Sequence, residues 1–202
     1  MRSHTDLEHT GRCPRCWVRD GWCICGHVTP APTQTQIIIV RHQYEAWRSS
    51  GTARIAELAM PHCRLVQANP PYERIDQSIS DLGAAWLLFP GGQPADQLGP
   101  PPGRLIVLDG TWREVRRLHR RLPALWSLPR FTLPAKSDAP VRLRRSRSTH
   151  HRSTLEAIAD AIAELEGTAV AAPLHALHER FVEQSLRARG AWSFRRQLVF
   201  DD

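Results

Sequence analysis

An α/β fold, with a largely parallel sheet flanked by helices, follows from three features of the sequence. Short apolar runs alternate with stretches of helical periodicity. The runs are apolar throughout rather than at every second residue, as strands covered on both faces are. Residues of unusual chemistry gather just past the end of each run, where an open parallel sheet places its site.

The main domain is read as residues 33–202, entered through the stiff linker Pro30-Ala31-Pro32-Thr33. Its first strand is Gln36–Val40, where four consecutive aliphatic residues demand burial on both sides. A helix is expected over Tyr44–Met60. Strands follow at Arg64–Ala68, Ala85–Phe89 and Arg104–Leu108, each short, apolar and bounded by Gly, Pro or polar residues. Trp112–Leu122 reads as a helix, with Val115, Leu118 and Leu122 on its apolar stripe. Arg130–Leu133 is a weaker strand. Ser153-Thr154-Leu155-Glu156 has capping-box spacing ahead of Leu155, Ile158, Ile162 and Leu165, which predicts a helix over Ser153–Glu166. A last helix is expected over Leu174–Arg189.

Ahead of the main domain stand a polar tail, residues 1–12, expected to be disordered, and a small cysteine module within residues 13–32. Cys13, Cys16, Cys23 and Cys25 form C-x2-C-x6-C-x-C. Two close thiol pairs suit a tetrahedral, closed, structural Zn²⁺ site, and redox pairs are the alternative. Trp17 and Trp22 either cover this site or offer a ring to a base. Cys63 reads as a plain buried thiol.

The 202 residues carry 27 basic and 20 acidic side chains, a formal charge of +7, and Lys136 is the single lysine. Such an excess points to an anionic partner, RNA or DNA first. Five cysteines without an export signal argue for metal or free thiols rather than disulfides. No run reaches membrane-spanning length, and no apolar leader opens the chain, so a cytoplasmic protein with no membrane partner is expected. A monomer is favoured.

Past the strands come Arg41-His42-Gln43-Tyr44-Glu45, Asn69-Pro70-Pro71, Pro90-Gly91-Gly92 and Asp109-Gly110-Thr111-Trp112. Asp109 is either a helix N-cap or an acid aimed into the crevice, where Gly110 permits a ligand to approach the backbone. Trp112 either packs in the core or walls the site. Arg113, Arg116, Arg117, Arg120 and Arg121 are either a solvated face or a phosphate-tracking surface. His42 and Glu45 are read as a possible hydrogen-bonded pair. His150 and His151 lie in an arginine-rich stretch, Arg142–Arg152, read as a mobile basic loop. There is no dinucleotide fingerprint and no P-loop.

Leu108-Asp109-Gly110-Thr111-Trp112 resembles the D-x-T-W signature of the DTW-domain family. The four-cysteine cluster stands where that family carries its zinc motif. "RHQYEAWRSSGTARIAELAM" is similar to its R-H-P-x-E segment and the Thr-containing helix after it, with Gln43 in place of the proline. "LLFPGG" resembles its L-[FY]-P-G loop, and "RSTHHRSTLEAIADAIAELE" its S-T-x-E-A helix. The resemblance implies a SPOUT-like sheet with a trefoil knot in the C-terminal half. It also implies a tRNA-uridine aminocarboxypropyltransferase using S-adenosylmethionine.

On that reading Asp109 and Trp112 are catalytic, Asp109 accepting or positioning the uridine N3–H and Trp112 stacking on or walling the base. The donor pocket is expected from Phe89, Pro90, Gly91, Leu108, Gly110, Thr111, Arg144, Arg145, Ser153 and Thr154. The arginine stripe and His42 are assigned to RNA. A methyl-transferring relative and a non-catalytic zinc-containing RNA-binding module are the rival readings.

Overall fold

The five strands of the computed structural model, which describes residues 11–135, 143 and 152–191, form one parallel sheet. They are β1 (Gln36–His42), β2 (Arg64–Ala68), β3 (Trp86–Gln93), β4 (Arg104–Asp109) and β5 (Arg130–Phe131), ordered β2-β1-β4-β3-β5. Every expected strand is present. β3 runs four residues further than its apolar stretch, and β5 is only two residues long.

The helices are α1 (Ala53–Ala59), α2 (Glu73–Ser80), α3 (Ala95–Leu98), α4 (Trp112–Arg121), α5 (Thr154–Glu166) and α6 (Thr168–Arg187). The strand period of two sorts the core into two layers. Ile37, Ile39, Leu105 and Val107 face one way and pack with Ile55 of α1, Ile158 of α5 and Phe181 of α6. Ile38, Val40, Ile106 and Leu108 face the other way and pack with Ile79 of α2 and Val115 and Leu118 of α4. The cysteine segment joins the first layer through Cys16, Val18 and Ile24, all buried.

The helix expected over Tyr44–Met60 is not continuous. A 3-10 turn covers Gln43–Glu45, and helix resumes only at Ala53 because Ser49-Ser50-Gly51 interrupts it. The breaker Pro173 lies inside α6 rather than before it, so that helix starts six residues earlier than Leu174. The two short helices α2 and α3 were not anticipated. Of the tail expected to be disordered over residues 1–12, Arg12 is instead ordered, bridging Arg19 and donating to the Trp17 carbonyl at 3.0 Å; residues 1–10, the basic loop apart from Leu143 and Arg152, and most of the path from β5 to α5 on which a trefoil knot depends lie outside the described residues.

Connectivity locates the site. From β1 the chain passes to α1 in one layer; from the adjacent β4 it passes to α4 in the other. Neighbouring parallel strands that feed opposite faces leave a crevice beyond their carboxyl ends. β1 ends there at His42 and β4 at Asp109.

Candidate active site

Asp109 ends β4 in register with Arg41 of β1, so both side chains point into the α1/α5 layer. It is 4% exposed. Its Oδ1 accepts a hydrogen bond of 2.5 Å from the Thr154 hydroxyl at the start of α5. The Leu155 amide donates to the Thr52 hydroxyl over 3.1 Å, which pins the α5 N-terminus to α1 beside this carboxylate. Ser153 is the N-cap of α5: its hydroxyl accepts from the Glu156 amide, and Glu156 returns a bond to the Ser153 amide. The Ser153 hydroxyl also meets His178 Nε2 at 2.9 Å. Asp109 and Thr154 are thus brought together, while Ser153 is committed to the cap and to His178.

Asp109 is not the cap of α4. Thr111 is, accepting from the Glu114 amide while Glu114 takes the Thr111 amide at 2.7 Å. That removes the N-cap reading of Asp109. Gly110 has an internal reason: a Cβ there would stand 3.0 Å from Glu114 Cβ and 3.4 Å from His42 Cβ. The glycine closes the β4–α4 turn against these neighbours. Leu108 is buried with its side chain in the α4 layer, so only its backbone faces the site.

The other face carries a different group. His42 was expected to contact RNA, but it is 1% exposed and presents no surface to a phosphate. Its Nδ1 accepts from the Tyr44 amide at 3.4 Å and lies 3.9 Å from Glu114 Oε1. Burial lowers its pKa, with Glu114 opposing. Glu45 takes Arg48 at 2.8 Å, and Arg48 also reaches Glu114 at 3.6 Å. Burial raises Glu114, but the Thr111 hydrogen bonds and Arg48 outweigh it and hold the carboxyl below its ordinary value.

Phe89 lies edge-on to Trp112 at 6.3 Å and stacked on His119 at 4.7 Å. Trp112 is 40% exposed, which rules out its packing in the core. The segment Phe89–Gly92 bulges out of the β3–β5 ladder, with Leu88 and Gln93 both opposite Phe131. Thr132 clamps the bulge, accepting from the Gly92 amide at 2.7 Å and donating to the Phe89 carbonyl at 2.8 Å. Gly91 takes φ +78°, and a Cβ on Gly92 would fall 2.1 Å from the Arg130 carbonyl oxygen. Both glycines are therefore required by the backbone. Arg144 and Arg145 lie outside the described residues.

Arg113, Arg116, Arg117, Arg120 and Arg121 are exposed along α4. Among the described residues none of them enters an ion pair. Arg117 and Arg121 also line an open cleft of about 660 Å³ with Pro70, Pro71, Tyr72 and Glu73.

The four cysteine sulfurs lie within 4.8 Å of one another, with Cys13–Cys25 at 3.6 Å and Cys16–Cys23 at 3.8 Å. A metal–sulfur bond of about 2.3 Å gives a tetrahedral edge of about 3.8 Å, so the set fits one four-thiolate ion. Burial raises Cys13, but backbone bonds at Cys16 and Arg15 with contacts to Cys23 and Cys25 bring it down to about 7. Burial, then the Cys13, Cys23 and Cys16 thiols, push Cys25 up. Four thiolates this close need a cation between them. Cys63, expected to be buried, is only half-buried, and burial pushes its thiol up to about 12.

Sequence reasoning missed Thr52, Arg54, Glu114 and Thr132 as site residues, and left Arg41 unassigned. Thr111-Trp112-Arg113-Glu114 carries capping-box spacing that would have revealed Glu114. Nothing local marks Thr52 or Thr132, whose partners lie 103 and 40 or more residues away.

Among the described residues no helix is long and apolar enough to cross a membrane. No solved structure matches the chain. It is 28% identical over 171 residues to tRNA-uridine aminocarboxypropyltransferase 2 of Drosophila melanogaster, a match covering 77% of this chain and 68% of that protein. It is 27% identical over 146 residues to tRNA-uridine aminocarboxypropyltransferase A of Arabidopsis thaliana, covering 58% of this chain and 54% of that one. The family model for the DTW domain matches residues 10–186, and with nearly the whole chain inside that match the protein belongs to the DTW domain family.

Proposed function

We propose that the protein transfers the 3-amino-3-carboxypropyl group of S-adenosylmethionine to N3 of a tRNA uridine. The observation that carries this reading is a buried, clamped carboxylate at the β1/β4 crevice beside an exposed arginine stripe. The names of the relatives from Drosophila melanogaster and Arabidopsis thaliana support the same chemistry.

A neutral imide is a poor nucleophile, so N3–H needs an acceptor. Asp109 fills that role; Thr154 fixes its orientation from one side, and the proton passes from the carboxyl group to solvent after transfer. The bound donor supplies an electrophilic Cγ on a sulfonium: N3 bonds to Cγ as the Cγ–S bond breaks, and its electron pair leaves on sulfur as methylthioadenosine. Selecting Cγ over the methyl carbon is a matter of position, and position lowers such barriers strongly. The Phe89–Gly91 bulge, held by Thr132, and the backbone at Leu108–Thr111 shape the donor pocket, with Arg144 and Arg145 assigned to it as well. Trp112, exposed against Phe89, stacks on or walls the uracil. The arginines of α4 hold phosphates. Zn²⁺ would be held by Cys13, Cys16, Cys23 and Cys25, and it supplies a cross-link that fixes the N-terminal segment against the first core layer. The protein is read as a cytoplasmic monomer.

The test is to incubate unmodified tRNA with purified protein and S-adenosylmethionine, then analyse nucleosides by mass spectrometry. Aminocarboxypropyluridine and methylthioadenosine are expected in equal amounts. Methyluridine with S-adenosylhomocysteine would make the protein a methyltransferase, and unchanged tRNA with no donor binding would leave only an RNA-binding module.

A further inference from the structure

A strip of aromatic side chains runs along α4. Trp112, the first residue of that helix, lies edge-on to Phe89 at 6.3 Å, and Phe89 stacks on His119 at 4.7 Å. Trp112 and His119 are seven residues apart, which puts them on one face of the helix with about 10 Å of rise between them. Trp126 extends the strip past His119. Its indole N–H donates to the His119 carbonyl at 2.7 Å, and its backbone amide donates to the Pro123 carbonyl at 2.8 Å. Both ends of the strip are open, Trp112 being 40% and Trp126 54% exposed.

The indole of Trp126 already has its one donor satisfied, so nothing polar holds so large an apolar ring in water. Two such rings on one strip mark a surface that a partner covers. The neighbouring charge sets the chemistry of that partner. On the helical period Arg116 and Arg120 fall within about a quarter turn of Trp112, while Arg117 and Arg121 line the cleft at Pro70, Pro71 and Tyr72. Arg130 of β5 stands 6.0 Å from the centre of the Phe89 ring. Among the described residues Arg116, Arg120 and Arg130 enter no ion pair. Glu114, the single acid in α4, is engaged with Thr111 and Arg48. Flat rings set among such cations fit nucleotides, whose bases stack while their phosphates take the charge. In a duplex the faces of the bases are covered by the neighbouring pairs, so these rings reach only unpaired bases.

We infer that Trp126 is a second base-stacking residue, seating an unpaired base near the modified uridine, so that the tRNA crosses α4 as a single-stranded loop rather than as a duplex. The assignment rests on the proposed function, in which Trp112 meets the uracil and the arginines of α4 hold phosphates. Trp112 is then the reacting end of the strip and Trp126 its far end, with Phe89 and His119 packed between them. Arg116 and Arg120 track the strand alongside.

The test measures binding of the full chain with its metal to decauridylate, to an abasic decamer of the same charge and to a short blunt RNA duplex, by fluorescence anisotropy at one fixed salt concentration. Wild-type protein should bind decauridylate at least about tenfold more tightly than the abasic decamer. Trp126→Leu should weaken decauridylate binding about tenfold, and Trp126→Phe, which keeps a ring, should recover most of that loss. Affinities for the abasic decamer, the duplex and S-adenosylmethionine should stay within about twofold of wild type. Thermal melting checks the folds, and Trp126→Met carries the test if Trp126→Leu unfolds. Equal losses for all three RNAs, no loss for decauridylate, or no recovery with Trp126→Phe overturns the assignment. So does sedimentation showing that, without RNA, Trp126→Leu splits a dimer, since the ring then meets a second copy of the chain. Wild-type protein that binds tRNA but shows no preference for decauridylate over the abasic decamer also overturns it, and leaves the proposed transfer standing. Wild-type protein that binds no tRNA sinks the proposed function itself, and the assignment with it.

Discussion

The two faces of the β1–β4 edge hold their charges in opposite ways. On the α1/α5 face, Asp109 is 4% exposed and clamped by Thr154, and Arg54 is held by Trp17 and Ala46. On the α4 face, five arginines stand in solvent without ion pairs among the described residues. A charge fixed before the reaction stabilises a transition state at no cost of reorganisation. Charges on mobile stems instead suit a polyanion whose phosphates vary in position, and they act through counterion release. Under the proposed function, one sheet edge separates chemistry from grip.

The comparison breaks first at Asp109. Asp109→Asn keeps the Thr154 acceptor and the side-chain volume, so the fold and tRNA affinity should survive while transfer falls by about 10²–10⁴-fold in single-turnover assays. Thr154→Val removes the clamp but leaves the acid; kcat should drop about tenfold, with the KM for tRNA unchanged. Arg116→Ala with Arg117→Ala should weaken tRNA binding about tenfold at physiological salt. The slope of log K against log salt should shrink by about 2, measured by filter binding. Donor affinity should not move.

Smallest is Glu114→Gln, which probes the seam between the faces. The folded-state pKa of Glu114 lies below its ordinary value, so its charged form stabilises the fold above the unfolded-state value, and that stability is lost as pH falls through the folded value. Urea denaturation should show the variant about 0.5–1 kcal/mol weaker at neutral pH, with the gap closing in acid. A constant gap across pH would mean that Glu114 acts through packing alone.

The sheet was legible because strands buried on both faces leave long aliphatic runs, such as Ile37–Val40, that nothing else in a soluble chain explains. The parallel arrangement then pointed to the strand ends, with Asp109 at the end of β4. α2 escaped although Tyr72, Ile75 and Ile79 carry a helical stripe, because eight residues give too few turns to stand out. The interruption after Glu45 was visible as Ser49-Ser50-Gly51, yet the apolar pattern beyond it was read as one helix. What sequence spacing cannot carry is which face a strand-end side chain takes relative to distant partners. His42 and Asp109 sit on neighbouring strands and point into different layers, and that register separated an expected RNA contact from the acid beside it. The Thr154–Asp109 bond spans 45 residues, so Ser153-Thr154-Leu155-Glu156 read as a cap alone until the fold closed it onto β4.

The separation of chemistry from grip is tested most directly by single-turnover rates at saturating tRNA for two variants side by side, Asp109→Asn and Arg116→Ala/Arg117→Ala. The account predicts that the arginine variant regains the wild-type rate once tRNA is in excess, whereas the Asp109 variant stays about 10²–10⁴-fold slower at every concentration. Recovery of both, or of neither, would contradict it.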